Sequence, residues 1–324
     1  MTVSTQKSIV WFRQDLRLTD NPALAAASKE GKVIPVFIFD QENSREAKPG
    51  AASKVWLHHS LKALNSRLKG NLRFLKGDPR TLLPRLGHEY NASNIFWNRT
   101  YEPWRINRDK VIKTHLKEKG FLVKSFNGGL LWEPWEILKK DGTPYKVFTP
   151  FYRKGCLSAK TPRLPIEKPQ LVLEAIDCYC GLNRLNSLNL LSPKTWASEI
   201  SRDWEIGEKA ALKKLYMFLD TRLNGYKQGR NYPSSNKVSQ LSANLHWGEI
   251  SVNTVWHNTK SHVFINEVNE SDADQFFAEL GWREFSHSLL YHFPDLPTKN
   301  FQGRFDTFKW ESNNSFLSSW KKGK

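Results

Sequence analysis

The 324-residue chain is 39% hydrophobic and 13% aromatic, which excludes global disorder and allows two domains of ordinary size. Its 49 Lys and Arg against 32 Asp and Glu give a net charge of +17, which favours a polyanionic partner such as nucleic acid, although basic charge can also serve solubility alone. Three cysteines without a repeated C-x-x-C argue against a disulfide framework or a zinc site, and no apolar run could span a bilayer, so we expect a cytoplasmic protein without a metal or a membrane partner.

Short apolar segments alternate with helical patterns in the first part of the chain. Asn21-Pro22 and Asp78-Pro79 mark helix starts, because Asn or Asp caps an N-terminus and proline is tolerated in the first turn. Strands alternating with helices predict a parallel α/β domain. Pro35 conflicts with the strand over residues 33–39 and predicts a bulge or a strand start there. The apolar segments are residues 9–12, 33–39, 72–75, 95–97 and 121–126.

The pattern changes after residue 132. Prolines at seven positions from 134 to 193 interrupt any long periodicity and predict a connector that runs over the surface. From residue 204 onward the pattern is helical, with helices expected over 210–223, 241–256 and 274–291. The expected domains are therefore an α/β domain at 1–132, a connector at 133–200 and a helical domain at 201–324.

Residues 278–294, A-E-L-G-W-R-E-F-S-H-S-L-L-Y-H-F-P, combine an apolar helical stripe with polar side chains. Glu279 and Arg283 are four residues apart and share a helix face, with Trp282 beside them. A solvated ion pair is the ordinary interpretation of this spacing. The alternative is that a carboxylate, a guanidinium and a large aromatic form part of a binding site.

Two segments lie at the carboxyl edge of the predicted sheet, where open α/β sheets bind ligands. The loop after the first strand contains Arg13, Asp15, Arg17 and Asp20, which we interpret as an ion-pair network that fixes the loop. Glu102 lies in W-N-R-T-Y-E-P-W, residues 97–104. It is either a pocket residue or a helix-start carboxylate stabilised by the helix dipole.

Ser239 and Ser242 precede an apolar helical pattern and read as N-capping residues. The free N–H groups of such a helix start are suited to a phosphate. Near the end of the chain, Trp310 lies in the basic, aromatic segment F-K-W-E-S-N, where it could also serve only to cover core surface.

These segments, together with V-F-T-P-F at residues 147–151, resemble in the same order the photolyase and cryptochrome flavoproteins. The chain is identified as a member of that family, most similar to class I cyclobutane pyrimidine dimer photolyases. The resemblance implies an antenna domain with a Rossmann-like parallel sheet, followed by a helical FAD domain. It also implies a deoxyribodipyrimidine photo-lyase activity, a carbon–carbon lyase reaction in which reduced FAD passes an electron to a flipped dimer in DNA under blue light.

The resemblance also implies cofactor-binding residues. Arg283 would lie near the FAD phosphates, Tyr226 and Phe276 beside the flavin, and a helix start would hold the diphosphate. Val238 and Gln240 depart from the family pattern, which usually has Thr at the first position and, in one branch, Arg at the second. Glu102, with Lys299 as a second residue, would bind an antenna chromophore of the reduced folate or deazaflavin type. The helix-start residues are Val238, Ser239, Gln240, Leu241 and Ser242.

The remaining implied residues concern DNA and electron transfer. Glu279 and Trp282 would line the cavity that receives the damaged base pair, Arg230 would reach DNA, and Trp310 would be the surface end of a tryptophan electron-transfer chain. Segment 144–151 would cross between the domains without a chemical role.

The relatives continue beyond Lys324 with T-G-Y-P and further helices, so we expect a C-terminally truncated FAD domain, impaired activity and, on the family pattern, a monomer. Two alternatives remain open. One is a cryptochrome-type FAD photosensor without repair. The other is a non-functional fragment in which only the α/β domain folds.

Overall fold

The computed structural model describes residues 6–41, 48–176 and 184–324. Cys178, Cys180 and part of the stretch at 40–53 that matches no antenna type lie outside these residues. The first layer is a parallel sheet with the strand order β3-β2-β1-β4-β5, which confirms the α/β prediction. The strands are β1 (Lys7–Phe12), β2 (Lys32–Phe39), β3 (Arg73–Lys76), β4 (Asn94–Asn98) and β5 (Leu122–Phe126).

Helices cover both faces of the sheet, so its central strands β1 and β2 are mostly apolar and buried. Alternate residues of β1 pack on opposite faces of the sheet: Val10 and Phe12 on one face, and Ile9 and Trp11 on the other. As predicted, Asn21 caps the first helix and accepts a hydrogen bond from the Leu24 N–H. The helices of this layer are α1 (Pro22–Glu30), α2 (Ala51–Arg67), α3 (Pro79–Glu89) and α4 (Pro103–Glu118).

Pro35 lies inside β2 and pairs with Val10, so the prediction of a bulge or strand start is wrong. Val33 donates its N–H to the Val172 carbonyl on the outer side of β2. The N–H groups of successive residues in a parallel strand point to alternate sides. The N–H that Pro35 lacks would therefore have pointed to the same outer side as that of Val33. Pairing with β3 begins only at Val36, and no ladder bond is lost.

The segment 133–200 is only partly a surface connector. It contains α5 (Phe148–Pro150), a π-helical turn at Phe151–Gly155 and 3₁₀ turns at Cys156–Ser158 and Leu185–Leu188. Phe151, Tyr152 and Cys156 are buried in a second core, because the Tyr152 ring packs where Gly281 has no side chain. The surface prediction is therefore wrong for Phe151, Tyr152 and Cys156.

The rest of the described chain is helical. The predicted single helix over 241–256 is wrong, because Gly248 at φ +66° lies against the Gln14 carbonyl and ends the first of two helices. Ser251 then caps the second by accepting from the Thr254 N–H. The helices are α6 (Trp196–Asp203), α7 (Glu208–Thr221), α8 (Tyr226–Gly229), α9 (Ser242–Trp247), α10 (Val252–Ile265), α11 (Glu270–His292) and α12 (Asn314–Lys322), with a 3₁₀ turn at Gly303–Phe305.

The second core is formed by α7, α8, α10 and α11 together with residues 131–156. It is joined to the sheet through the loop after β1. The Leu16 N–H donates to the Trp247 carbonyl at 3.1 Å, and the buried Glu208 carboxylate accepts from the N–H groups of Leu18 and Thr19. Within the described ranges, no helix is long and apolar enough to cross a membrane.

Candidate functional site

A cavity of about 430 Å³, here called the main cavity, lies between the carboxyl edge of the sheet and α8, α9 and α11. Its size and mixed lining are typical of small-molecule sites. Eight of its lining residues are ones that the sequence predicts for a site: Glu102, Tyr226, Ser239, Leu241, Ser242, Phe276, Glu279 and Arg283. Other lining residues include Gln14, Arg99, Tyr101, His246, Leu280 and His287.

Polar groups cluster around Arg283. Its Nη1 donates to the Glu284 carboxylate at 2.9 Å. Burial lowers the pKa of His246, and burial followed by the charge of Arg283 lowers the pKa of His287 to about 4. Both imidazoles are therefore neutral at physiological pH, and the positive charge in this part of the cavity is that of Arg283.

An aromatic wall faces the cavity from α8 and α11. The rings of Tyr226 and Phe276 meet edge to face with centroids 5.5 Å apart, and both contact Phe218 behind them. Burial raises the pKa of the Tyr226 hydroxyl, so the wall is uncharged. Such a surface is suited to a flat aromatic ligand.

Glu279 forms an ion pair with Arg230, and each side chain is about 30% exposed (28% and 30%). Gln275 also donates to the Glu279 Oε1 at 2.9 Å, and the Arg230 guanidinium lies 5.6 Å from the centre of the Tyr226 ring. The interpretation of a Glu279–Arg283 pair is wrong, because Arg283 pairs with Glu284 instead. The structure therefore brings together the predicted residues Arg230, Tyr226 and Glu279.

Trp282 does not line the main cavity but is 45% exposed beside Glu279 on α11. Its ring stacks on Phe148, with centroids 3.7 Å apart and an interplanar angle of 10°. Segment 144–151 was expected to have no chemical role, and nothing in its pattern indicates that Phe148 packs against Trp282.

The chain before α9 does not cap it as predicted. The N-cap position is Leu241, and no side chain caps the helix. Gln240 has φ +55°, which turns the backbone so that the Ser239 hydroxyl accepts only a long bond, 3.4 Å, from the Leu241 N–H. The capping prediction for Ser239 and Ser242 is wrong, although both line the main cavity; Val238 and Gln240 do not.

The residues expected to bind an antenna chromophore are not brought into one cavity. Glu102 lines the main cavity and lies 3.4 Å from Arg105 at the start of α4, without capping it. Lys299 is exposed, pairs with Asp295 and lines a different depression beside His292.

Trp310 also lies apart from the main cavity. It is 84% exposed and contacts Phe308, with ring centroids 4.8 Å apart. The alternative in which Trp310 covers core surface is wrong.

The loop after β1 forms a buried network, but the interpretation of Arg13, Asp15, Arg17 and Asp20 as ion-pair partners of one another is wrong. The ion pairs of the loop are Arg13–Asp109 and Asp20–Arg163. Asp15 accepts from the Arg13 N–H and the Asn98 side-chain amide, both at 2.6 Å. Arg17 donates to the carbonyls of Asp20, Gly128 and Gly248. Beside this loop lies a smaller cavity of about 70 Å³ at the sheet edge, lined by Trp11, Arg13, Asp40, Trp104 and Arg108 among others.

Sequence reasoning missed Glu133, which fixes one wall of the main cavity. Its carboxylate accepts from the Tyr101 hydroxyl at 2.7 Å and from the Arg99 Nε at 3.0 Å. Glu133 is 34 residues from Arg99 and 32 from Tyr101, so no local spacing could have paired it with them. His246 and His287 were also missed. Among the described residues, no cluster of ligands for a metal is present.

Comparisons with known proteins match the whole chain. Residues 8–170 match the sequence model of DNA photolyase, and residues 276–324 match that of the FAD binding domain of DNA photolyase. The deoxyribodipyrimidine photo-lyase of Agrobacterium fabrum is 40% identical over all of this chain and 67% of its own length. Cryptochrome-2 of Arabidopsis thaliana is 33% identical over 98% of this chain and 54% of its own length.

Among solved structures, a bacterial class III photolyase from Agrobacterium tumefaciens superposes with a TM-score of 0.91 at 40% identity, over 100% of this chain and 67% of that one. The chain therefore spans between half and two thirds of the length of these relatives. The expected class I subdivision stays a prediction, since the matched structure is described as class III.

Proposed function

The chain belongs to the DNA photolyase family, and on this premise we propose that it binds FAD in the main cavity and repairs cyclobutane pyrimidine dimers in DNA under blue light. The observation that carries the proposal is the arrangement on α11. This helix presents Arg283 and Phe276 to the cavity, Glu279 at the same cavity beside Arg230, and the exposed Trp282 one turn along.

The residues present fit FAD. Arg283 offers a cation for the diphosphate, and Tyr226 and Phe276 offer aromatic surface for a flat ring. The buried Thr100 hydroxyl also lines the cavity and has no hydrogen-bond partner among the described residues, as expected of a group that a ligand satisfies. When bound, FAD supplies the light absorption and the electron transfer.

The residues beside the cavity suit a flipped pyrimidine dimer. Trp282 and Phe148 form a flat stacked surface for its apolar rings. Glu279 can accept a hydrogen bond from an imide edge, and Arg230 can pair with a backbone phosphate. The net charge of +17 supports DNA as the partner.

An antenna chromophore of the reduced folate or deazaflavin type belongs to the same proposal. Glu102 lines the main cavity that is proposed for FAD, and Lys299 is exposed and paired with Asp295, so these two residues do not by themselves form the site of such a ligand. The surface tryptophan Trp310 is exposed enough to exchange electrons with an external donor.

A cryptochrome-type photosensor is the second candidate, favoured by the 33% identity to cryptochrome-2. A sensor should bind dimer-containing and undamaged oligonucleotides equally, whereas a repair protein should prefer the dimer.

A third candidate, folding of the α/β domain alone, is tested by limited proteolysis. A stable fragment ending within residues 133–200 would support it, and a resistant full-length chain would count against it.

The first test is the visible absorption spectrum of the purified chain, followed by DNA binding of Trp282→Ala. A flavin spectrum is expected, and its absence would contradict FAD binding. Trp282→Ala should retain flavin but lose about tenfold in dimer preference, since stacking on an aromatic side chain contributes about 1–3 kcal/mol per base. Trp310→Ala is the matched control, and unchanged dimer binding by Trp282→Ala would refute the assignment.

A further inference from the structure

We propose that His287 binds the ligand of the main cavity, and that its Nε2 atom accepts a hydrogen bond from an N–H or O–H group of FAD. The inference rests on the proposed function, because it takes FAD as the ligand. It adds a residue for which the sequence pattern gave no indication.

The hydrogen bond on the other side of the ring fixes the tautomer of His287. Its Nδ1 lies 2.9 Å from the Arg283 carbonyl oxygen, one turn earlier on α11. A carbonyl oxygen can only accept, so Nδ1 carries the proton. In a neutral imidazole the lone pair then lies on Nε2, which is the ring nitrogen left for the cavity that His287 lines.

The surroundings keep this imidazole neutral. Burial is the main cause that lowers the pKa of His287 to about 4, and the nearby charge of Arg283 adds to it. The other titratable groups that act on the ring are Glu102, which raises the pKa, and His246, which lowers it. Around neutral pH, Nε2 is therefore an acceptor.

A hydrogen-bond acceptor at this position can bind a donor group of the ligand. Of the other side chains that line the cavity, Arg283 and Arg99 can only donate hydrogen bonds. The carboxylates of Glu102 and Glu279 can accept, but each already pairs with an arginine. FAD carries hydroxyl and N–H groups that lose their hydrogen bonds to water when they enter a cavity, and each donor left without an acceptor weakens binding. His287 Nε2 supplies an acceptor on the side of the cavity where Arg283 supplies the cation.

A purely structural role for His287 would be to bond the Arg283 carbonyl, and two variants separate the roles of the two ring nitrogens. His287→Asn keeps a donor near the position of Nδ1 but has no atom at Nε2. His287→Gln places an amide oxygen near the position of Nε2. His292 is the matched control, because it lies on the same helix, bonds the Pro134 carbonyl at 3.0 Å through Nε2 and does not line the main cavity.

The experiment is a fluorescence titration of flavin-free protein with FAD at neutral pH, with thermal unfolding of each flavin-free variant to show that it is folded. His287→Asn should raise the dissociation constant for FAD by roughly fivefold to tenfold, as expected for the loss of one hydrogen bond. His287→Gln should stay within about twofold of the wild type, as should His292→Asn.

Equal FAD affinity of His287→Asn and the wild type would overturn this inference alone. So would a His287→Gln variant as weak as His287→Asn, because the loss would then follow from ring volume. Failure of the wild-type chain itself to bind FAD would overturn the proposed function, and this inference with it.

Discussion

The loop after β1 and the cavity side of α11 contain the same kinds of charged residue and use them in opposite ways. In the loop, Arg17 and Asp20 are buried and bond to groups of the protein itself. Arg17 donates to backbone carbonyls, and Asp20 accepts from the Ile166 N–H and pairs with Arg163. On α11, Glu279 and Arg283 are partly exposed and face a cavity. Residue type and spacing therefore do not distinguish a structural site from a binding site; burial within the protein or exposure to a cavity does.

Arg17→Met should give the largest effect, on the structural side of the comparison. The substitution leaves the carbonyls of Asp20, Gly128 and Gly248 without their donor in a buried position. We expect a loss of about 4 kcal/mol in the free energy of unfolding, measured in urea. The exposed Arg202→Met is the control and should change stability by less than about 0.5 kcal/mol. A similarly small change for Arg17→Met would contradict the structural role of the loop.

Glu284→Gln tests a buried carboxylate behind the cavity wall. Burial raises the pKa of Glu284 to about 7, against the opposing effects of Arg283 and the N–H groups of Leu131 and Trp132. The folded state therefore holds a proton that the unfolded state releases between about pH 4.5 and pH 7, and wild-type stability falls as pH rises through this window. Relative to the variant, the fall should be at most about 3 kcal/mol.

Urea unfolding of the wild type and Glu284→Gln at about pH 5 and about pH 8 measures this difference. The exposed Glu311→Gln is the control and should follow the wild type at both values. A parallel pH dependence of Glu284→Gln and the wild type would show that Glu284 titrates as an ordinary carboxyl group.

Local rules predicted the fold better than the site. Asn21-Pro22 gave the correct start of α1, because a cap and a first-turn proline act within a few residues. The break at Gly248 was missed, since it depends on contact with the Gln14 carbonyl far along the chain. The partner of Glu279 was missed for the same reason: Arg230 is 49 residues away, whereas helix spacing suggested Arg283.

Arg283→Ala tests the binding side of the comparison. The substitution removes the positive charge that is proposed to bind the FAD diphosphate and that pairs with Glu284. It should weaken FAD binding by roughly tenfold to a hundredfold, the range for a hydrogen bond to a charged group. Equilibrium dialysis with FAD measures it. Arg222→Ala removes the same charge from a position outside the main cavity and should leave the affinity unchanged. Loss of FAD in both variants would indicate a general charge effect.

The Arg230–Glu279 pair should give the smallest effect, because both side chains are partly exposed and such pairs contribute about 0.2–1 kcal/mol. A double-mutant cycle isolates it. If a flipped dimer takes the place of Arg230 on Glu279, the pair is present in the free protein and absent in the complex. The combined variant Arg230→Ala with Glu279→Gln should then lose about twofold to fivefold more dimer affinity than the product of the single losses.

Lys227 supplies the matched cycle, since it lies on α8, whose C-cap residue is Arg230, and bonds Ser271 instead of Glu279. Its cycle with Glu279 should be additive, as should the Arg230 cycle on undamaged DNA. Additivity of the Arg230 cycle on dimer DNA would mean that the ion pair survives in the complex. Glu279 would then belong with the structural charges of the β1 loop, and the boundary between structural and binding residues on α11 would lie between Glu279 and Arg283.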